Sequence, residues 1–269
     1  MKRYLEYFGF IVLALFSFFY TSKTSTVIKN MDDIMIKIKE EKENNVVMPI
    51  DAKIEEDTII PGISGREVLI NESYDAMKKV GTYSSNLLVY NKVKPNISLF
   101  NNYDKYIVKG NSLKNQVSLI FKVDNEDNIN QMVELLDKYD IKANFFSLDK
   151  LDDNILNLVS KGHNVGSINN KTWLNTLVSK IANQRYGYCY LEEKDKEVLQ
   201  MCSMNKYFVI VPSIITKTTP TLTIKKNLES GSIISLDVNK ETMKELEFII
   251  RYIKSKGLDI VNLETLLEE

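Results

Sequence analysis

From Asn115 to Glu269 the sequence alternates short apolar runs with amphipathic stretches, and this rhythm constrains the fold more than any other feature. The runs are VSLIFKV (Val117 to Val123), IKANFF (Ile141 to Phe146), HNVGSI (His163 to Ile168), GYCYL (Gly187 to Leu191), YFVIVPSI (Tyr207 to Ile214), GSIISLDV (Gly231 to Val238) and DIVNL (Asp259 to Leu263). Short runs of this composition read as strands. Between them, apolar residues recur every three or four positions: Ile129, Met132, Val133, Leu136; Ile155, Leu158, Val159; Trp173, Leu174, Leu177, Val178, Ile181; and Met243, Leu246, Ile249, Ile250, Ile253. That spacing marks helices. Strands joined by helices of this length imply right-handed crossovers and a parallel sheet. Repeated over the whole region, they favour an α/β fold of the distorted (β/α) barrel kind over an open sheet.

The sequence before this region has a different character. Lys2 and Arg3 precede the apolar run from Tyr7 to Tyr20, which reaches back to Tyr4 if Glu6 snorkels to the interface. At 1.5 Å per residue the extended run spans roughly 25 Å, slightly less than a bilayer core. The leading positive charges place the N-terminus in the cytoplasm and the rest of the chain outside. No small-x-small cleavage site follows in TSKTSTVIKN, which favours an uncleaved signal-anchor in the cell membrane; secretion after cleavage is the alternative. Val27, Met31, Ile34 and Ile38 then form a helical stripe. It suits a short coiled-coil stalk that would bring copies into a weak homo-oligomer, and equally a helix packed on its own domain or on the membrane. The expected organisation is an anchor over 1–22, a helical stalk and linker over 23–58, a small lead-in region over 59–114 that packs on the main domain, and the main domain over 115–269. The segment IIPGISGREV lacks the GxxxxGK spacing of a phosphate cradle and reads as turn chemistry.

Charge and composition exclude several functions. With 35 Lys plus Arg against 36 Asp plus Glu, interspersed along the chain, no concentrated basic face exists for nucleic acid. His163 is the single histidine, so histidine-rich metal sites and catalytic triads are nearly excluded. It opens a strand run, where a backbone hydrogen bond is the expected role. Cys189 and Cys202 fall on a strand and on the helix that follows it, which leaves a disulfide and two buried thiols both open. Tyr186, Tyr188 and Tyr190 alternate along one strand and share a face. They are candidate ligand-stacking residues if that face opens onto a groove, and core residues if it packs against a helix. Trp173 begins a helical stripe and reads as core.

The order of these segments resembles the NodB homology domain of polysaccharide deacetylases, carbohydrate esterase family 4, over Asn115 to Glu269. VSLIFKVDN stands in place of the family's TFDDG strand, and DKYDIKANFF resembles L-x-x-y-x-I-x-A-T-F-F. KGHNVGSINNKT resembles G-H-E-I-G-N-H-T-x-x-H, and the stretch from GSIISLDVNK to the end resembles the C-terminal block beginning G-x-I-x-L-x-H. The resemblance implies chemistry in which one Asp and two His hold a divalent metal, a second Asp deprotonates the bound water, and a further His protonates the leaving amine.

Matched position by position, those groups are missing. The catalytic-base position falls on Lys122 and the metal-binding aspartate position on Val123, with Asp124 where a glycine is expected. The metal histidine positions fall on Ile168 and Thr172, and the C-terminal histidine position on Asp237. The family's R-x-P-Y motif maps near Tyr188 to Leu191, with Arg185 its remnant if the register slips. Val and Ile offer no ligand atoms, Thr172 is a poor ligand alone, and Lys122 would place a cation beside the metal position and repel a divalent ion. The resemblance therefore implies a pseudo-enzyme that has lost the metal and uses no other cofactor. Lys122, Asp124 and Asp237 are candidates for an ion-pair cluster in the metal's place. The expected partners are a cell-wall glycan or an envelope protein. A divergent esterase using other residues, and a structural or regulatory protein of wall assembly or sporulation, are the alternatives.

Overall fold

The computed structural model describes residues 2–123, 129–147, 153–168, 170 and 185–269. In chain order, α1 (Lys2–Met31) and α2 (Asp33–Glu41) precede β1 (Lys53–Glu55), β2 (Thr58–Ile60), β3 (Gly65–Val68), α3 (Ile70–Lys78), β4 (Tyr90–Val93) and β5 (Tyr106–Ile107). The alternating region follows as β6 (Gln116–Val123), α4 (Ile129–Lys138), β7 (Asn144–Ser147), α5 (Asp153–Ser160), β8 (Asn164–Ser167), β9 (Tyr188–Tyr190), α6 (Lys196–Met204) and β10 (Phe208–Ile210). It ends with β11 (Ile214–Ile215), α7 (Pro220–Asn227), β12 (Ile233–Asp237), α8 (Lys240–Ser255), β13 (Asp259–Val261) and α9 (Leu263–Leu267). The helices expected at 173–181 lie outside the described residues.

Two compact units form, one from 1–49 with 64–93 and the other from 50–63 with 94–269. In the first, the stretch Tyr7–Met31 of α1 is long and apolar enough to cross a membrane. Asp32 starts α2 by accepting the Ile34 N–H at 3.0 Å. Ile34, Met35 and Ile38 of α2 are buried against Tyr74 and Met77 of α3, with Val68 and Leu88. The stripe read as a coiled-coil stalk is thus divided: Val27 and Met31 are exposed, whereas Ile34 and Ile38 belong to the core of this unit. β3 and β4 pair antiparallel, and Val47 bridges Arg66.

The second unit holds two sheets. The larger runs β11-β12-β6-β7-β8, with β13 beside the first half of β6; the smaller runs β1-β2-β5-β10-β9. Every ladder of the larger sheet is parallel. β6 is central because both of its faces are apolar. Val117, Leu119, Phe121 and Val123 pack with residues of α4 and α8, and Ile120 packs with Phe146, Tyr190 and Ile233 on the opposite side. α8 begins at Asn239, whose side chain accepts the Thr242 N–H, and buries Leu246, Ile249, Ile250 and Ile253.

Three expectations need correction. The ladders of the described residues do not show closure into a barrel: β9 pairs with β10, β10 with β5, and β5 in turn with β2. Residues 53–60, read as linker and lead-in, supply strands to that sheet. The boundary expected at 114/115 falls inside the second unit, while 64–93 belongs to the first.

Polar side chains complete this framework. Asn144 is fully buried: its amide nitrogen donates to Ser118 Oγ and Leu119 O, both at 2.8 Å, and its oxygen accepts from Asn164 Nδ2 at 3.1 Å and Leu263 N at 2.8 Å. Between β8 and β9, Asn170 acts as a ladder residue would, its amide accepting Tyr190 N–H at 2.8 Å and donating to Tyr190 O at 3.0 Å. The buried Glu269 carboxylate accepts from the N–H groups of Gly62 and Leu99 and from the Ser98 hydroxyl. At Gly231 φ is +87° and an added Cβ would lie 2.4 Å from Gly110 O, so only glycine fits there.

Candidate functional site

The C-terminal ends of parallel strands converge on Lys122, the position where barrel-type folds assemble their sites. Lys122 lies one residue before the end of β6, in register with Asp237 at the end of β12. Alternation sends its side chain to the same face as Ser118 and Ile120. Its ammonium bonds Glu192, two residues beyond β9, and lies 3.1 Å from Asp237 Oδ1. Lys217, just beyond β11, approaches the other oxygen of Glu192 at 3.9 Å. Beside this cluster, Glu192, Glu193, Ile215, Lys217, Thr218 and Thr223 line a cleft of about 350 Å³. Beneath it, the Tyr190 hydroxyl pairs with Ser235 Oγ at 2.8 Å.

Burial pulls the Lys122 ammonium toward its neutral form, but the hydrogen bonds to Glu192 and Asp237 outweigh that and hold its pKa above the ordinary lysine value. It is therefore a fixed cation at neutral pH. Burial pushes the Tyr190 hydroxyl up to about 12, against the opposing hydrogen bond from Ser235, so it too stays protonated.

These residues do not fit the family's metal. Lys122 already supplies the positive charge between the two carboxylates. Val123 is buried in the apolar cluster on the helix side of β6, and Ile168 is an apolar residue packed against the opposite cluster. Neither offers a donor atom. Asp124 and Thr172 lie outside the described residues, as does Trp173. Among the described residues no three His, Cys, Asp or Glu side chains gather as a metal site would require.

The tyrosine expectation is corrected. Tyr188 and Tyr190 are each 3% exposed, so neither ring offers a face to a sugar. Tyr190 packs against Phe146, and Tyr186 and Tyr188 against Phe208. Tyr186 is half-buried and also meets Phe100. Cys189 points the other way, into a small core with Tyr106 and Val209, and is bonded to Cys202 of α6. The Arg185 guanidinium pairs with Glu264 at 3.7 Å.

His163 is buried, and its Nδ1 accepts the Ala143 N–H at 3.2 Å, a structural role. Burial, reinforced by the charge of Lys142, holds its pKa down at about 4. The unfolded chain takes up this proton near 6.5, so between those values unfolding binds more protons and acidification destabilises the fold. His163 should thus contribute about 2 kcal/mol at neutral pH that disappears between pH 6.5 and 4. Urea unfolding of the wild type and His163→Gln across this window checks it: the wild type should show the steeper loss, and identical slopes would contradict the assignment.

Glu192 went unidentified at the sequence level. It is the carboxylate that directly follows the GYCYL run, two residues beyond β9, and its pairing with Lys122 depends on how β9 and β6 lie in space.

This architecture is similar in fold to the carbohydrate esterase family 4, NodB-homology domain, and among the described residues no group of His, Cys, Asp and Glu gathers as a metal site. No family model matches the chain. A curated relative, the uncharacterised protein YlxY of Bacillus subtilis, is 25% identical over 281 residues, covering 91% of this chain and 87% of its own. The crystal structure of BA3943, a carbohydrate esterase family 4 pseudoenzyme of Bacillus anthracis, aligns with a TM-score of 0.65 at 21% identity, covering 89% of this chain and 96% of its own. A mutant of that pseudoenzyme, described as having restored enzymatic activity, aligns with the same TM-score. A family 4 carbohydrate esterase of Bacillus anthracis aligns over 63% of this chain and 89% of its own, at a TM-score of 0.51 and 17% identity.

Proposed function

We propose that this protein is a membrane-anchored, catalytically silent deacetylase-like protein that acts in the cell envelope as a binding module for a wall glycan or an envelope protein. The observation that carries the reading is Lys122, whose ammonium lies between Glu192 and Asp237 at the strand ends where the family's chemistry would take place. Without a metal, a water molecule stays far less acidic than metal-bound water, and no nucleophile forms at neutral pH. The likeness in fold to a pseudoenzyme supports the same reading. The apolar stretch Tyr7–Met31 supports the anchor, and the bond between Cys189 and Cys202 suits a domain outside the cytoplasm.

Acetate release from acetylated chitooligosaccharides, with and without added zinc or cobalt, tests the silent site. The expected result is no release above a protein-free control; metal-dependent turnover would overturn the reading. Retention of the full chain on peptidoglycan tests the glycan partner, and failure to bind would leave the envelope protein.

A further inference from the structure

The solvent face shared by α7 and α8 carries lysines together with exposed apolar side chains. Lys244, Phe248, Tyr252 and Lys256 follow one another at intervals of four, so they form one line along α8 and just beyond its end. Phe248 is 50% exposed. Leu222 and Lys225, three apart on α7, lie beside this line: Leu222 is 64% exposed, and the Lys225 ammonium sits 4.6 Å from the Phe248 ring centroid and 5.5 Å from that of Tyr252. Lys256 covers the same Tyr252 ring at 5.3 Å. Of the three acidic residues of α8, Glu245 accepts the Thr221 N–H and Glu247 bonds Lys138, Tyr139 and Arg251, while Glu241 is exposed in the first turn. The patch therefore combines Lys225 and Lys256 over aromatic rings and the exposed Lys244 with a projecting leucine and phenylalanine, and its three cations outnumber the two carboxylates, Glu241 and Glu245, that lie along the same face.

We infer that this face docks on an anionic lipid bilayer, with the ammonium groups of Lys225, Lys244 and Lys256 on lipid phosphates and the Leu222 and Phe248 side chains among the first acyl carbons. Each half of the patch matches one half of that surface. Cations at the headgroup level each contribute favourably near an anionic leaflet, and the exposed apolar side chains gain by leaving water for the acyl boundary. A soluble polyanion would satisfy the lysines and leave Leu222 and Phe248 in water. The inference rests on the reading of α1 as an anchor, which keeps the second unit within reach of a bilayer.

The test uses the full chain held in nanodiscs through α1, with Ser255→Cys labelled by an environment-sensitive fluorophore; the native cysteines are bonded to each other and do not compete. Emission should shift to the blue in nanodiscs containing phosphatidylglycerol but not in pure phosphatidylcholine, and high salt should reverse the shift. Lys225→Ala and Lys256→Ala, both at exposed positions, should each weaken docking about fivefold. Phe248→Ser should weaken it as well. Equal emission in the two lipids, indifference to these substitutions, the same shift with soluble polyphosphate, or a shift that grows with protein concentration and so reports a second copy would overturn the proposal. If α1 fails to hold the chain in the nanodisc, the anchor reading falls. The same fluorophore, read with anionic vesicles added from outside, then still decides the patch.

Discussion

Asn144→Ala should lower the unfolding free energy by about 4 kcal/mol, with the midpoint in urea falling and the slope of the transition unchanged. The side chain makes four hydrogen bonds in a site of zero exposure, and they join β6, β7, β8 and the start of α9. Truncation removes all four and leaves the Leu263 N–H and the Asn164 amide without those partners in an apolar interior. A buried group left unsatisfied costs about 1–3 kcal/mol, and two of them set the scale. Asn144→Asp is the informative second variant, because it keeps the acceptor for Leu263 and loses the donors to Ser118 and Leu119. It should fall between the wild type and Asn144→Ala. A loss below about 1 kcal/mol for Asn144→Ala would show that water or a rearranged neighbour replaces the amide, and that it does not organise these strand ends.

Lys122→Met should destabilise the fold by about 2 kcal/mol, through the charges it leaves behind more than through packing. The Lys122 side chain is 17% exposed, and those of Glu192 and Asp237 are about one-third exposed, so the loss should fall short of that for a fully buried pair. Removing the ammonium sets two carboxylates against each other without their counter-ion. Adding Glu192→Gln and Asp237→Asn to Lys122→Met should therefore recover at least half of the loss. If the triple variant is no more stable than Lys122→Met alone, the cluster is not an electrostatic unit. The raised pKa of Lys122 gives a second sign: its contribution is fully present at neutral pH and declines only as the solution becomes more alkaline than the ordinary lysine value.

Much of the second unit was legible in the sequence because local periodicity and tertiary burial agree there. VSLIFKV is apolar on both faces and becomes the central strand, and the spacing of Leu246, Ile249, Ile250 and Ile253 becomes the buried face of α8. Closure was not legible. Whether short strands such as Tyr188–Tyr190 complete a ring or join another sheet depends on long-range pairing, and here β5 pairs with β10 from outside the alternating region. Nor could alternation tell which side of the tyrosine strand meets solvent, since Tyr186, Tyr188 and Tyr190 share a face either way and Phe208 covers it. The helical stripe at Ile34 and Ile38 was equally ambiguous between an intermolecular seam and the seam with α3 that the unit forms. The site itself was half legible. Losing ligand atoms at Val123 and Ile168 is a property of residue types and needs no structure. The pairing of Lys122 with Glu192 and Asp237 is a property of three strand ends far apart in the chain.

The Lys122 ammonium lies between the carboxylates of Glu192 and Asp237, and on the proposed function it leaves no place there for a divalent ion. Elemental analysis of the purified full chain, after equilibration with zinc and removal of the free ion, tests this most directly. The account predicts no stoichiometric retention of zinc by the wild type. One tightly held equivalent per chain, lost on Asp237→Asn, would contradict it.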